Sequence, residues 1–215
     1  MAGGRAIRRW LKRHLGDKTF FETQIPLKIV AYDLFLRQEL VIDSGSILDA
    51  VERSIAIPGV IRPVRDKQRV IIDGGVLNPL PTNVLSVIGV NRIIAVNVLQ
   101  SPEDVTKGFL LEQEDLKARY QVSFFKAPWA YILFRIGRIF KRMFNPNIAN
   151  IIVSTLQAAG YVLAEQSGQQ ADVMIHPNLV GLEWFELYRV EDLIKRGEDA
   201  ARQAIPKIRQ ALGEG

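Results

Sequence analysis

The run from Arg69 to Pro81, Arg-Val-Ile-Ile-Asp-Gly-Gly-Val-Leu-Asn-Pro-Leu-Pro, constrains this chain more than any other stretch. A short Val/Ile run reads as a buried strand, and the glycines behind it permit a tight turn that leaves Asp73 at the strand's C-terminal end. In open α/β sheets that is where sites collect. Asp before Gly-Gly is equally an ordinary turn former, because the carboxylate can hydrogen-bond its own backbone two residues on. The local sequence leaves both roles open for Asp73.

Around this run, strand and helix signals alternate. Leu27–Leu34 and Glu39–Asp43 read as strands joined in a hairpin. Ser46, followed three residues later by Asp49, predicts a capped helix through about Ile55, stopped by Pro58-Gly59. A helix is expected near Pro81–Ile88, then an interior strand over Arg92–Leu99, too apolar for a sheet edge. Ser101-Pro102-Glu103-Asp104 supplies a helix start, and from there to Ser167 the chain reads as helical, with breaks near Pro128 and Pro146. Asp172–His176 reads as a last short strand. Val190–Leu212 is an amphipathic helix that Pro206 should kink, and Arg5–Leu15 is a basic helix ending at Gly16. Alternation of this kind points to an α/β sandwich.

The order of several segments resembles the patatin-like phospholipase family: Ile-Pro-Leu-Lys-Ile-Val-Ala-Tyr-Asp-Leu, Ser54-Ile-Ala-Ile-Pro-Gly-Val-Ile-Arg-Pro-Val64, the Asp73-Gly74-Gly75 motif, Asn78-x-x-Pro81, and Gly-Val-Asn-Arg-Ile-Ile-Ala-Val. The resemblance covers residues 19–99 most closely. It extends more weakly to a terminal strand and helix over 172–212, with the helical segment 102–167 between, so that 1–215 reads as one partial domain. It implies a three-layer α/β/α sandwich, incomplete at its N-terminal side. In that family the Asp of the Asp-Gly-Gly motif pairs with a Ser on an upstream Gly-x-Ser-x-Gly turn. Asp73 would then be the general base, Gly74 and Gly75 would serve geometry, and Asn78 would support the loop. The strained nucleophile turn requires glycines two residues either side of the Ser. None of the eight serines (44, 46, 54, 86, 101, 123, 154, 167) meets that requirement, and no glycine-rich oxyanion loop follows a strand near the N-terminus. The resemblance therefore implies the Asp half of a Ser/Asp site, inactive by itself.

Composition narrows the chemistry further. The chain has no cysteine, which excludes disulfides and thiolate catalysis, and its two histidines, His14 and His176, lie too far apart in sequence to suggest a metal site. No cofactor is expected. His176 reads as a strand-end residue and His14 as a solvated one. The net charge of +5 is uneven: residues 1–18 carry net +5, residues 117–142 net +7, and the remainder net −7. Such basic patches favour anionic surfaces. Between Pro128 and Phe144 a helical projection places Trp129, Ile132, Leu133, Ile136, Ile139, Phe140 and Met143 on one stripe. Tyr131, Phe134 and the basic residues take the rest. This fits either a core helix with a solvated face or an interfacial helix meeting a bilayer through Lys117, Arg119, Lys126, Arg135, Arg138, Lys141 and Arg142. Nucleic acid is a weaker partner, because no helix-turn-helix or RNA-recognition signature accompanies the charge.

The leading expectation is a lipid acyl hydrolase, acting on phospholipid or other lipid esters, of which this chain supplies the Asp half. The alternative is a non-catalytic membrane-associated binding protein on the same scaffold. The longest charge-free run, Met143–Ala164, is too polar for a membrane span. The resemblance implies a cytoplasmic protein able to dock on the inner membrane surface.

Overall fold

A computed structural model of the chain describes residues 4–66, 68–111, 113–114, 148–182, 186 and 189–214. The first helix, α1 (Gly4–Leu15), buries Leu11 and packs on α2 (Ile47–Ser54), where Arg8 pairs with Asp49 at 2.8 Å and with Glu52. Between them lies a hairpin of β1 (Ile29–Asp33) and β2 (Gln38–Ile42), with Ile29 opposite Ile42. Helix α2 begins as its sequence predicts, with the Ser46 Oγ accepting a hydrogen bond from the Asp49 amide.

A second hairpin follows, β3 (Val64–Asp66) and β4 (Arg69–Asp73), and β4 pairs with β1. The resulting sheet has the order β2-β1-β4-β3 and every pairing is antiparallel. Strand β3 is not signalled by the sequence, since its Val-Arg-Asp has no apolar alternation. The antiparallel sense of β1–β2 and β3–β4 follows from their connections, because turns this short can only reverse the chain, whereas parallel neighbours need a crossover of a dozen or more residues. The path from β1 to β4 runs through β2, α2 and β3 and is long enough for either sense, so that pairing is decided by tertiary contacts. The strand carrying Asp73 thus lies in an antiparallel sheet, so its place at a strand end does not follow the parallel-sheet rule. Phe20, Ala31, Ile42, Ile47, Ala50 and Ile71 form the core between this sheet and α2.

Beyond β4 the chain forms α3 (Thr82–Val87), β5 (Ile94–Val96), α4 (102–111), α5 (Ile148–Gly168), β6 (Val173–Ile175) and α6 (Val190–Leu212). The long excursion before β6 allows a parallel pair, and Ile94, Ala95 and Val96 face Val173, Met174 and Ile175. Alternation puts Val173 and Ile175 against Ala204 and Ile208 of α6. Met174 packs instead with Leu80, Ala95 and Ala164 of α5. Helix α6 runs unbroken through Pro206 and ends at Gly213 with φ 77°. The expected interior strand over 92–99 is shorter than its apolar run. Among the described residues β5 pairs only with β6, and Ile94, Val96 and Val98 are exposed. The aromatic and basic stripe predicted over 117–142 lies outside the described residues.

Candidate active site

Asp73 ends β4, and two contacts fix it there. Its amide donates to the Ala56 carbonyl at 3.1 Å, tying the strand end to the Ser54–Val64 segment. Its carboxylate Oδ1 accepts from the Gly75 amide at 2.8 Å and so caps the 3-10 turn Gly74–Val76. The second carboxylate oxygen makes no hydrogen bond among the described residues. Burial pushes the Asp73 pKa up, and the Gly75 hydrogen bond pulls it partly back. A carboxylate held this way is a better proton acceptor than a solvated one, and it has one oxygen free to act.

The glycines are needed for space rather than for an unusual backbone. Neither takes a positive φ. A Cβ on Gly74 would lie 2.5 Å from the Val30 carbonyl oxygen and 2.7 Å from its carbon, so the turn is pressed onto the β1 backbone. A Cβ on Gly75 would lie 3.2 Å from the Asp73 Oδ1. The first glycine seats the turn and the second leaves room for the carboxylate.

Asn78 is buried, and its amide donates to the Gly74 carbonyl at 2.9 Å, which closes the loop behind Asp73. Its side chain reaches further than the sequence suggests. Nδ2 donates at 2.8 Å to Glu39 on β2 and at 2.8 Å to Asn83 on α3. Glu39 carries no sequence signal for this role, because the contact spans 39 positions and exists only once the hairpin has formed.

The remaining candidates do not converge on Asp73. His14 is exposed on α1, stacked 4.3 Å from Trp10, with its Nδ1 2.8 Å from the Trp10 carbonyl oxygen. His176 follows β6, exposed, with Nε2 3.9 Å from Glu165. Ser46 and Ser101 cap helices, Ser86 bonds within α3, and no described serine hydroxyl hydrogen-bonds to Asp73. Among the described residues no three His, Asp or Glu side chains are grouped to hold a metal ion. No helix among them is long and apolar enough to cross a membrane. A concavity of about 760 Å³ lies between α4, α5 and the loop after β6, lined by Gln100, Asp104, Phe109, Tyr161 and Leu182 among others. Asp73 does not line it.

Comparison with known proteins covers the part of the chain that holds this turn. The family model for patatin-like phospholipases matches residues 1–86, a span that includes Asp73, Gly74, Gly75 and Asn78. An uncharacterized NTE family protein of Mycobacterium tuberculosis is 36% identical over 69 residues, which make up 32% of this chain and 12% of the relative. A second NTE family protein of that species is 34% identical over 84 residues, or 39% of this chain and 23% of the relative, and Mycobacterium bovis has a counterpart at the same identity. The chain thus spans about an eighth to a quarter of the length of these relatives. Residues 1–86, with the Asp73 turn inside them, are similar to the patatin-like phospholipase family.

Proposed function

We propose that Asp73 is the proton-accepting half of a Ser/Asp dyad in a lipid acyl hydrolase, with the serine and its oxyanion-binding loop supplied from outside these 215 residues. The observation that supports this best is the Asp73 carboxylate itself. One oxygen is anchored by Gly75, the other carries no hydrogen bond among the described residues, and burial raises its basicity. In the reaction the Ser oxygen attacks the ester carbonyl while Asp73 accepts the hydroxyl proton. The proton passes to the departing alkoxide, and water then releases the acyl group with Asp73 again as base. Donors for the tetrahedral oxyanion would come with the serine-bearing segment.

The same reading makes these strands and helices part of a three-layer α/β/α sandwich, with 1–215 as one partial domain. It places the protein in the cytoplasm, docked on an anionic membrane surface through the basic segment 117–142. The test is reconstitution. The chain alone should leave p-nitrophenyl esters and phospholipids intact. Joined to a segment bearing a Gly-x-Ser-x-Gly turn, it should hydrolyse them, and Asp73→Asn should lower turnover by roughly 10² to 10⁴. Undiminished turnover in that variant would remove Asp73 from the mechanism. A second reading, a non-catalytic membrane-associated binding protein, is favoured by the lack of any Gly-x-Ser-x-Gly among the eight serines. It would be supported if the reconstituted protein bound lipid without hydrolysing it.

A further inference from the structure

At the end of the sheet opposite Asp73, the β1–β2 turn spans residues 34–37 and lies beside the facing ends of β3 and β4, since Leu34 donates to the Val70 carbonyl at 2.9 Å while Asp66 faces Arg69. The turn carries three consecutive apolar side chains in solvent: Leu34 is 51% exposed, Phe35 66% and Leu36 45%. Isolated exposed apolar residues are ordinary, but a contiguous apolar tip on a rigid turn is not.

The turn is rigid because Asp33 holds it. This carboxylate is almost fully buried, and its Oδ1 accepts from the amides of both Phe35 and Leu36 at 3.0 Å. Oδ2 accepts no hydrogen bond and faces Arg69 Nε at 3.6 Å. Arg37 takes a positive φ of 55°, turning the chain back into β2. The apolar side chains are therefore presented outward by the fold rather than left over from an unpacked loop.

Charge selects what they meet. Arg37, Arg65 and Arg69 are all exposed around this end of the sheet. Of the nearby acids, Asp33 is buried and Asp66 faces Arg53 at 3.5 Å. An apolar tip within a cationic collar matches an anionic bilayer, where the side chains enter the acyl boundary and the guanidiniums meet headgroup phosphates. A symmetric tip-to-tip contact with a second copy would bring the two collars together and is opposed by their repulsion. We infer that the Leu34–Phe35–Leu36 turn, with Arg37, Arg65 and Arg69, inserts into the surface of an anionic membrane. This surface stands about 13 Å from Asp73, four strand residues at about 3.3 Å each, so it acts as an anchor independent of the dyad.

The absence of cysteine gives a clean probe. Phe35→Cys in the full chain takes a single polarity-sensitive fluorophore, and Ser44→Cys, exposed beyond the far end of β2, serves as the control. With phosphatidylcholine vesicles containing about a third phosphatidylserine, the label at position 35 should shift blue and be quenched by spin-labelled acyl chains, while the label at 44 stays aqueous. Changing Arg37→Asn with Arg65→Gln should weaken vesicle partition by roughly 25-fold, about fivefold per charge, and raised salt should have the same sense. An aqueous label at 35 on membrane-bound protein would overturn the inference, as would absence of vesicle binding. A blue shift that depends on protein concentration without lipid would assign the tip to self-association and equally overturn it.

Discussion

Gly74 sits against the backbone of Val30 so closely that an added Cβ would fall 2.5 Å from the Val30 carbonyl oxygen. The obstacle is main chain in the interior of the sheet, which cannot rotate away as a side chain would. Gly74→Ala should therefore cost at least about 2 kcal/mol, lowering Tm by roughly 4–8 °C in a chain of this size. Thermal unfolding followed by circular dichroism measures this. An unchanged Tm would mean that the turn can lift off β1.

Gly75→Ala separates geometry from stability. The added methyl meets the Asp73 carboxylate at 3.2 Å and no backbone, so the neighbour can give by a few tenths of an ångström. We expect a stability change within about 1 kcal/mol, small for a core substitution. The Asp73 carboxylate should move, and reconstituted turnover should fall by more than tenfold, since misplacement by 1 Å can cost about 10². Comparable losses in Tm and turnover would show that Gly75 has only a structural role.

Asp73 should make stability depend on pH in a direction opposite to most carboxylates. Burial raises its folded-state pKa above the unfolded value. The folded state then holds its proton more tightly, so no penalty exists below the unfolded pKa. A penalty develops as pH rises through the folded pKa and persists at neutrality. Asp73→Asn keeps the acceptor for the Gly75 amide and removes the charge. It should raise Tm at pH 7 and lose that advantage as pH falls below about 4, the unfolded carboxylate range. A variant destabilised at pH 7 would contradict the desolvated placement of Asp73.

Asn78→Ala should destabilise the chain by about 1–3 kcal/mol, because it leaves Glu39 and Asn83 without their shared donor in a partly buried setting. A double-mutant cycle with Glu39→Ala isolates the pair. The coupling should be about 0.5–3 kcal/mol, as for residues in direct contact. Strict additivity would show that the Glu39 contact contributes nothing.

The outer face of β5 predicts association. Ile94 and Val96 of β5, with Val98 just beyond it, are exposed apolar residues along a strand with one described neighbour, and open apolar edges template pairing with other chains. The chain should bind the dye ANS and oligomerise at micromolar concentration. Ile94→Thr with Val98→Thr should reduce both. A monomer without dye binding in size exclusion would show that these residues are covered.

The sequence by itself determined the elements whose signals are local. The Ser46 cap and its helix, the 29–42 hairpin, the strand ending at Asp73 and the amphipathic helix over 190–212 all rest on periodicity, capping and turn residues within one window. The structure places them accordingly. Asp73 as a candidate, and the resemblance of its surroundings to patatin-like phospholipases, were also readable because the motif is contiguous in the chain. Only the tertiary structure decided what depends on distant segments meeting. Strand β3 exists because β4 offers it a partner, and the antiparallel pairing of β4 with β1 joins strands that a helix and two further strands separate in the chain. The need for Gly74 comes from Val30, and the hold on Asn78 comes from Glu39, residues 44 and 39 positions away. Such contacts have no period and no local composition, because each residue's requirement is set by a neighbour that the linear sequence does not place beside it.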